Sequence, residues 1–115
     1  MRRGEVRLVD LDPVRGSEAN KRRPAVVVSN ERANAVADRL GHGVVTVVPL
    51  TSSTARIFPF QVLVSADHGG LRVDSKAQAE QVRSVAVERL GATLGQLPAS
   101  IMADIDDALR LHLDL

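Results

Sequence analysis

Two short runs of β-branched residues constrain the fold of this chain most. Residues 24–29 read Pro-Ala-Val-Val-Val-Ser, and residues 44–50 form a second valine-rich run. A continuous apolar run of this length is typical of a strand buried on both faces, because valine packs well on a pleated surface. We therefore expect two central strands, with Pro24 at the first position of the earlier one, where a missing N–H is tolerated.

Weaker patterns around these runs predict further strands and two helices. Asn30 is a favourable N-cap for a short helix that Gly41 closes. Apolar residues at helical spacing from Ile101 to Leu109, after Pro98, predict a terminal helix. The remaining expectations are strands at 5–11, 60–65, 75–82 and 84–87, a polar loop at 12–23 and a turn at 67–70.

Length and composition favour one compact domain spanning residues 1–115. The chain has 44% apolar and 25% charged residues, and its short strands with one internal and one terminal helix predict a mainly β (α+β) fold, a small curved barrel or sandwich. The sequence has no cysteine, which excludes disulfides and thiolate zinc sites. No apolar run is long enough for a signal peptide or a membrane span, so we expect a cytoplasmic protein.

The positive charge is carried almost entirely by arginine. Of the 15 cations only Lys21 and Lys76 are lysine, which leaves 13 arginines. Residues 98–115 hold four aspartates against Arg110, so the rest of the chain carries 14 cations (15 less 1) against 10 anions (14 less 4). The guanidinium fork suits phosphate, which favours a phosphate-bearing partner for this basic body. A genome rich in G and C would produce the same arginine bias, so composition alone leaves both explanations open.

Four short segments carry the most specific information in the sequence. They are Arg3-Gly4-Glu5-Val6 with Val9-Asp10-Leu11-Asp12-Pro13; Gly16-Ser17-Glu18 followed by Arg23-Pro24; Val48-Pro49-Leu50-Thr51-Ser52; and Glu80-Gln81-Val82-Arg83-Ser84. In order and spacing the chain resembles the MazF/PemK/Kid family of toxin endoribonucleases along almost its entire length. The resemblance implies an SH3-like barrel of the MazF/CcdB type with a C-terminal helix. It also implies a homodimer that cleaves single-stranded RNA at short sequence motifs without a metal, leaving 2′,3′-cyclic phosphate and 5′-hydroxyl ends.

The resemblance also assigns catalytic residues. The family's catalytic arginine falls on Arg23, its threonine on Thr51, and its acidic position on Glu80. Arg23 begins one predicted central strand and Thr51 follows the other, so antiparallel pairing would bring both to one rim of the sheet. A guanidinium stays protonated near neutral pH, so we assign Arg23 to the charge of the phosphorane. Thr51 would hydrogen-bond the phosphate or relay a proton, and Glu80 is the group with usable basicity.

Further residues are expected to contact RNA. Arg56 would bind phosphate and Phe58 would stack on a base, although a Phe beside a Pro more often forms a small hydrophobic cluster. Arg83 would bind phosphate or pair with Glu80. The full set of RNA-binding candidates is Ser17, Glu18, Lys21, Ser52, Arg56, Phe58, Gln78, Gln81 and Arg83.

Two positions depart from the family pattern. Ser17 stands where some members have histidine, which removes one possible proton carrier. Arg7 stands where many relatives have Trp or Tyr, so the loss of an aromatic side chain from the first strand could alter the RNA groove or the dimer contact. The choice of RNA sequence is left open by this second departure.

No cofactor or metal is implied, because the three histidines lack metal-ligand spacing. The expected partners are RNA, a second copy of the chain, and an acidic, initially disordered MazE-like antitoxin that folds across the RNA site. DNA would be reached only through the antitoxin, and no membrane is involved. Two alternatives remain: a CcdB-type toxin that inhibits gyrase from the same fold, and a nucleic-acid-binding barrel without catalysis. The combination of Arg23, Thr51 and Glu80 favours the nuclease.

Overall fold

A computed structural model describes residues 1–12, 15–18 and 21–115. Pro13, Val14, Ala19 and Asn20 lie outside the described residues, and with them one position of the first family segment and part of the loop predicted at 12–23. The described part contains two helices, α1 (Glu31–Leu40) and α2 (Ala99–Leu113). Its strands are β1 (Glu5–Asp10), β2 (Arg22–Val27), β3 (Val44–Thr51), β4 (Gln61–Val64), β5 (Ser75–Gln78), β6 (Arg83–Ala86) and β7 (Leu90–Gln96). Neither helix has the length and apolar character needed to cross a bilayer.

The two valine runs form the centre of one antiparallel sheet, as predicted. The strand order is β4-β5-β3-β2-β1-β7, and β6 pairs with β3 beside β5. Alternate residues of β2 and β3 face opposite sides, so Val26 and Val48 pack in a core cluster with Ile105 of α2. Val27 and Val47 pack on the other side with Ala37 of α1. Burial on both faces explains why these strands are continuously apolar.

Both predicted helices are confirmed, with their capping residues. The side chain of Asn30 accepts a hydrogen bond from the Ala33 N–H at 2.8 Å, and Gly41 ends α1 in the left-handed conformation at φ 69°. These contacts satisfy backbone groups that a helix end would leave unpaired. Helix α2 starts directly after Pro98 and presents Met102, Ile105 and Ala108 to the interior.

Three details of the predicted strands are wrong. Strand β7 was not predicted, because Leu90–Gln96 contains two glycines and little β-branched content, and pairing with β1 makes it a strand. The strand expected at 75–82 ends at Gln78 and is followed by a 3₁₀ helix, Ala79–Gln81. Pro24 is the third residue of β2 rather than the first. Pairing with β1 extends back to Arg22, whereas pairing with β3 begins only at Ala25, so Pro24 lacks a partner strand on one side.

The mainly β fold with a C-terminal helix is confirmed, but the sheet does not close into a barrel. Among the described strands, no pairing joins β4 or β5 to β7. Instead the turn between β4 and β5 packs directly on β7. A methyl group on Gly70 would overlap the Leu94 carbonyl oxygen, and one on Gly95 would lie 2.6 Å from the carbonyl carbon of Gly69. Glycines therefore allow a backbone contact to complete the ring that strand pairing leaves open.

Substitution of Gly70 by alanine tests this contact. Gly70 has a φ of +71° and Gly41 one of +69°, but a methyl group on Gly41 would meet no atom within 4 Å. Both Gly→Ala changes carry the same backbone strain, so their difference reports the clash alone. We expect Gly70→Ala to lower the free energy of unfolding by about 2 kcal/mol more than Gly41→Ala, measured by urea denaturation. Equal losses would mean that the turn can move off β7 at no cost.

Candidate active site

Arg23 and Thr51 meet at one end of the sheet. Strands β2 and β3 pair with Ala25 opposite Pro49 and Val27 opposite Val47. Arg23 lies two residues before Ala25 and Thr51 two residues after Pro49, so both residues lie at the end of the sheet where the pairing of β2 with β3 stops. Both residues line a single cleft of about 500 Å³. The structure thus brings together the two residues that the family resemblance singles out.

The cleft is the open mouth of the ring formed by the sheet and the docked turn. Strand ends contribute Leu8, the segments 21–24 and 50–52, Ser75 and Leu94, and the turn contributes residues 70–73. Strand β2 is separated from the turn by β1 and β7 on one side and by β3 and β5 on the other, so the strand ends and the turn form different walls of the cleft. A ligand in the cleft would therefore be held between two elements that are distant in sequence.

The cleft is positively charged. Its lining includes Lys21, Arg22, Arg23 and Arg72, and no carboxylate lines it among the residues that the structure describes. Six of the other lining residues are apolar: Leu8, Pro24, Leu50, Leu71, Val73 and Leu94. Cations at the walls with aliphatic surface between them suit a ligand that has phosphates and a flat apolar part, which describes a nucleotide.

The start of β2 is held in place by the preceding strand. Lys21 adopts a left-handed conformation with φ 65°, which lysine rarely does. Its N–H donates to the Asp12 carboxylate at 2.9 Å, and its carbonyl accepts from the Leu11 N–H at 3.1 Å. Backbone strain held by hydrogen bonds on both sides is common at functional sites, because it fixes the direction of the following side chains. Here those side chains are Arg22 and Arg23.

Two residues of the cleft, Arg22 and Arg72, were not predicted from the sequence. Arg22 lies next to a predicted catalytic residue, and the run Lys21-Arg22-Arg23 was the signal that could have identified it. Arg72 lies in a turn with no motif around it, and no local signal points to it. Only the packing of that turn on β7 brings Arg72 to the cleft.

Glu80 does not line this cleft. It lies in the 3₁₀ helix between β5 and β6, where its carboxylate accepts a hydrogen bond from the Gln61 amide at 2.6 Å. The Gln61 oxygen in turn accepts from the Phe58 N–H at 3.0 Å, so one buried amide connects Glu80 to the segment before β4. The other Glu80 oxygen and the Gln78 amide oxygen are buried without a hydrogen-bond partner among the described residues.

Arg83 does not pair with Glu80. Its guanidinium donates to the Leu11 carbonyl at 3.2 Å, and the ion pairs found in the described ranges do not join it to any carboxylate. Arg83 thereby ties β6 to the end of β1.

The predicted RNA contacts around Phe58 form a cluster beside the cleft rather than within it. The Phe58 and Phe60 rings stack with centroids 5.4 Å apart and planes 2° apart, and the Arg56 guanidinium carbon lies 4.5 Å from the Phe58 centroid. The buried Lys76 ammonium donates to the Arg56 carbonyl at 2.7 Å. The faces of Phe58 are thus already contacted by protein groups, as the hydrophobic-cluster alternative expects.

The other predicted contacts are distributed over the loops. Lys21 and Ser52 line the cleft, whereas Ser17 and Glu18 are exposed outside it. The Gln81 amide donates to the Ser17 carbonyl at 3.1 Å, so Gln81 connects the 3₁₀ helix to the loop before β2.

Arg7, one of the two residues that depart from the family pattern, has a structural role. Its guanidinium pairs with the Glu5 carboxylate at 2.9 Å and donates to the Gly91 carbonyl at 3.0 Å, which joins β1 to β7. Within the described ranges, no group of three or more His, Asp or Glu side chains is arranged to hold a metal ion.

Comparison with known proteins agrees with this geometry. Residues 2–113 match the profile of the family described as PemK-like, MazF-like toxin of type II toxin-antitoxin system. The chain is 65% identical to Endoribonuclease MazF9 of Mycobacterium tuberculosis over 115 residues, covering all of this chain and 98% of that protein.

Solved structures show the same fold. MazF from Deinococcus radiodurans superposes with a TM-score of 0.83 at 28% identity, covering all of this chain and 97% of that one. A mycobacterial endoribonuclease in complex with its cognate antitoxin gives a TM-score of 0.79 at 25% identity, covering all of this chain and 96% of that one. The chain therefore belongs to the family of PemK-like, MazF-like toxins of type II toxin–antitoxin systems.

Proposed function

We propose that the cleft between Arg23 and Thr51 is where this endoribonuclease toxin cleaves single-stranded RNA, at short sequence motifs and without a metal. The observation that carries the proposal is that this residue pair lies with three further cations in one cleft whose described lining holds no carboxylate. Such a cleft attracts a polyanion. The names of similar proteins, among them the endoribonuclease of M. tuberculosis, support the same activity.

The reaction uses the substrate's own 2′-hydroxyl as nucleophile. The 2′ oxygen forms a bond to phosphorus while its proton passes to a base. The bond from phosphorus to the 5′ oxygen then breaks, and that oxygen takes up a proton. The products are a 2′,3′-cyclic phosphate and a 5′-hydroxyl, and growth is inhibited because transcripts are destroyed. Positioned donors are needed where negative charge develops on the pentacoordinate phosphorus.

Arg23 supplies the charge for this transition state, because its guanidinium remains protonated and can meet two phosphate oxygens at once. Thr51 donates a hydrogen bond to the phosphate or relays a proton. Glu80 is the proposed base, acting from beside the cleft. In this role Glu80 would exchange its hydrogen bond to Gln61 for one to the 2′-hydroxyl of the bound substrate.

We also propose that the protein works in the cytoplasm as a homodimer controlled by an acidic MazE-like antitoxin. The carboxylate-free, cationic cleft would accept an acidic segment as readily as RNA. A structural neighbour is described as bound to its cognate antitoxin, which supports the same arrangement here. DNA would be contacted only through that antitoxin.

Incubation with RNA oligonucleotides in excess EDTA, beside DNA of the same sequence, tests the activity. We expect RNA to be cut at defined sites with cyclic-phosphate ends and DNA to stay intact. A gel shift without cleavage would support the binding-only alternative. Inhibition of gyrase with no RNA cleavage would support the CcdB-type alternative.

A further inference from the structure

We infer that Arg72 is a second phosphate-binding residue, holding a phosphate of the RNA that flanks the one being cleaved. The inference rests on the proposed function, since it assigns a ligand to the part of the cleft formed by the turn at residues 70–73. It makes Arg72 a binding residue with no part in the chemical step.

The turn that carries Arg72 is fixed to the body of the protein. A methyl group on Gly69 would lie 2.9 Å from side-chain atoms of both Val6 and Leu97, so this turn backbone sits directly on the core. The Ala66 N–H donates to the Asp74 carboxylate at 2.9 Å, which closes the base of the turn. Together with the backbone contact of Gly70 on Leu94, these interactions give residues 70–73 a defined position. A side chain on such a support can position a ligand with little loss of entropy.

The Arg72 guanidinium is available to a ligand. The residue is exposed, and the hydrogen bonds and ion pairs of the described chain do not include its side chain. The described lining of the cleft contains three further cations and no carboxylate, so Arg72 lies among groups of like charge. A phosphate near Arg72 would relieve that repulsion and form charge-assisted hydrogen bonds.

The cleft combines the kinds of group that alternate along RNA. Arg23, Thr51 and Arg72 line it together with aliphatic side chains, among them Leu71 and Val73 on either side of Arg72 in sequence. An RNA strand likewise alternates a charged phosphate with a nucleoside whose base has apolar faces. A base against Leu71 and Val73 therefore brings a neighbouring phosphate to Arg72. Contacts of this kind add affinity and register without reading sequence.

The test measures binding of an RNA that contains one 2′-deoxy nucleotide at the cut site, over a range of salt concentrations. We expect Arg72→Ala to weaken binding about tenfold at low salt and to lower the slope of log K against log salt by about 0.7, the value for one phosphate contact on a single strand. With cleavable RNA, KM should rise while kcat stays within about threefold of the parent. Arg72→Lys should restore most of the affinity, because a phosphate contact needs charge more than geometry.

The matched control is Arg39→Ala, which removes an equal charge from the exposed end of α1, outside the cleft. An Arg72→Ala protein that behaves like this control would overturn the inference. So would a change in the preferred RNA sequence with an unaltered salt slope, since that result identifies contact with a base edge. Parent protein that binds the deoxy-substituted RNA but never cleaves the unmodified one would overturn the proposed function instead, and the salt slope of Arg72→Ala would still decide the phosphate contact.

Discussion

A single 2′-deoxy nucleotide at the cut site is expected to abolish cleavage of an otherwise unmodified RNA. The proposed reaction has no other nucleophile, and an intramolecular group held in line is worth an effective concentration of about 10⁵ M or more. We therefore expect the single-turnover rate at that site to fall by at least about 10⁵-fold. The measurement is the rate of appearance of the two fragments on a denaturing gel, with protein in excess over RNA.

The control for this result is the same RNA with its deoxy nucleotide two positions away from the cut. It should be cleaved at close to the normal rate, because one missing hydroxyl elsewhere removes at most a single hydrogen bond. Cleavage of the site-substituted RNA at the normal rate would show that water or a protein group attacks phosphorus. The proposed mechanism would then be wrong.

Replacement of Arg23 by alanine is expected to reduce kcat by about 10³-fold. Removal of one preorganised donor to a developing oxyanion commonly costs 10² to 10³, and Arg23 provides a full charge in addition to its donors. Arg23→Lys should recover part of the loss, because it retains the charge but loses the planar fork that meets two oxygens. The measurements are single-turnover rates at saturating protein, together with thermal unfolding to establish that the variants are folded.

Two further variants distinguish an effect on the chemical step from an effect of charge on RNA binding. Arg22→Ala removes the neighbouring cleft cation and should act mainly on KM, because Arg22 is assigned no role in the transition state. Glu80→Gln should lower kcat by about 10² if Glu80 is the base. If the kcat of Glu80→Gln stays within a few-fold of that of the parent, the role of Glu80 is structural, namely its hydrogen bond with Gln61. Equal effects of Arg22→Ala and Arg23→Ala on kcat would contradict the special role of Arg23.

Much of the central sheet was predictable from the sequence. The runs that became β2 and β3 are apolar at nearly every position, and only burial on both faces makes such a pattern favourable. The caps Asn30 and Gly41 predicted α1 because capping uses only local atoms. Strand β7 could not be predicted, since Gly95 packs on the turn at Gly69 and Gly91 packs on Leu8 of β1, and both contacts join segments distant in sequence.

The candidate site was predictable in part. Arg23 and Thr51 follow from short motifs, and antiparallel pairing of two neighbouring strands was enough to expect them at one rim. The placement of Glu80 was not predictable, because the strand expected there ends and a 3₁₀ helix carries the carboxylate to Gln61.

The sequence by itself determined which residues form the central strands, where the helices begin and end, and which toxin family the chain belongs to. These properties depend on side chains that are close together along the chain or on motifs of fixed spacing. The tertiary structure alone decided that the ring is completed by a glycine contact and that Arg72 and Arg23 line one cleft, whose described lining holds no carboxylate. Both features require contact between segments that are more than 20 residues apart in sequence. A local sequence pattern does not predict such contacts.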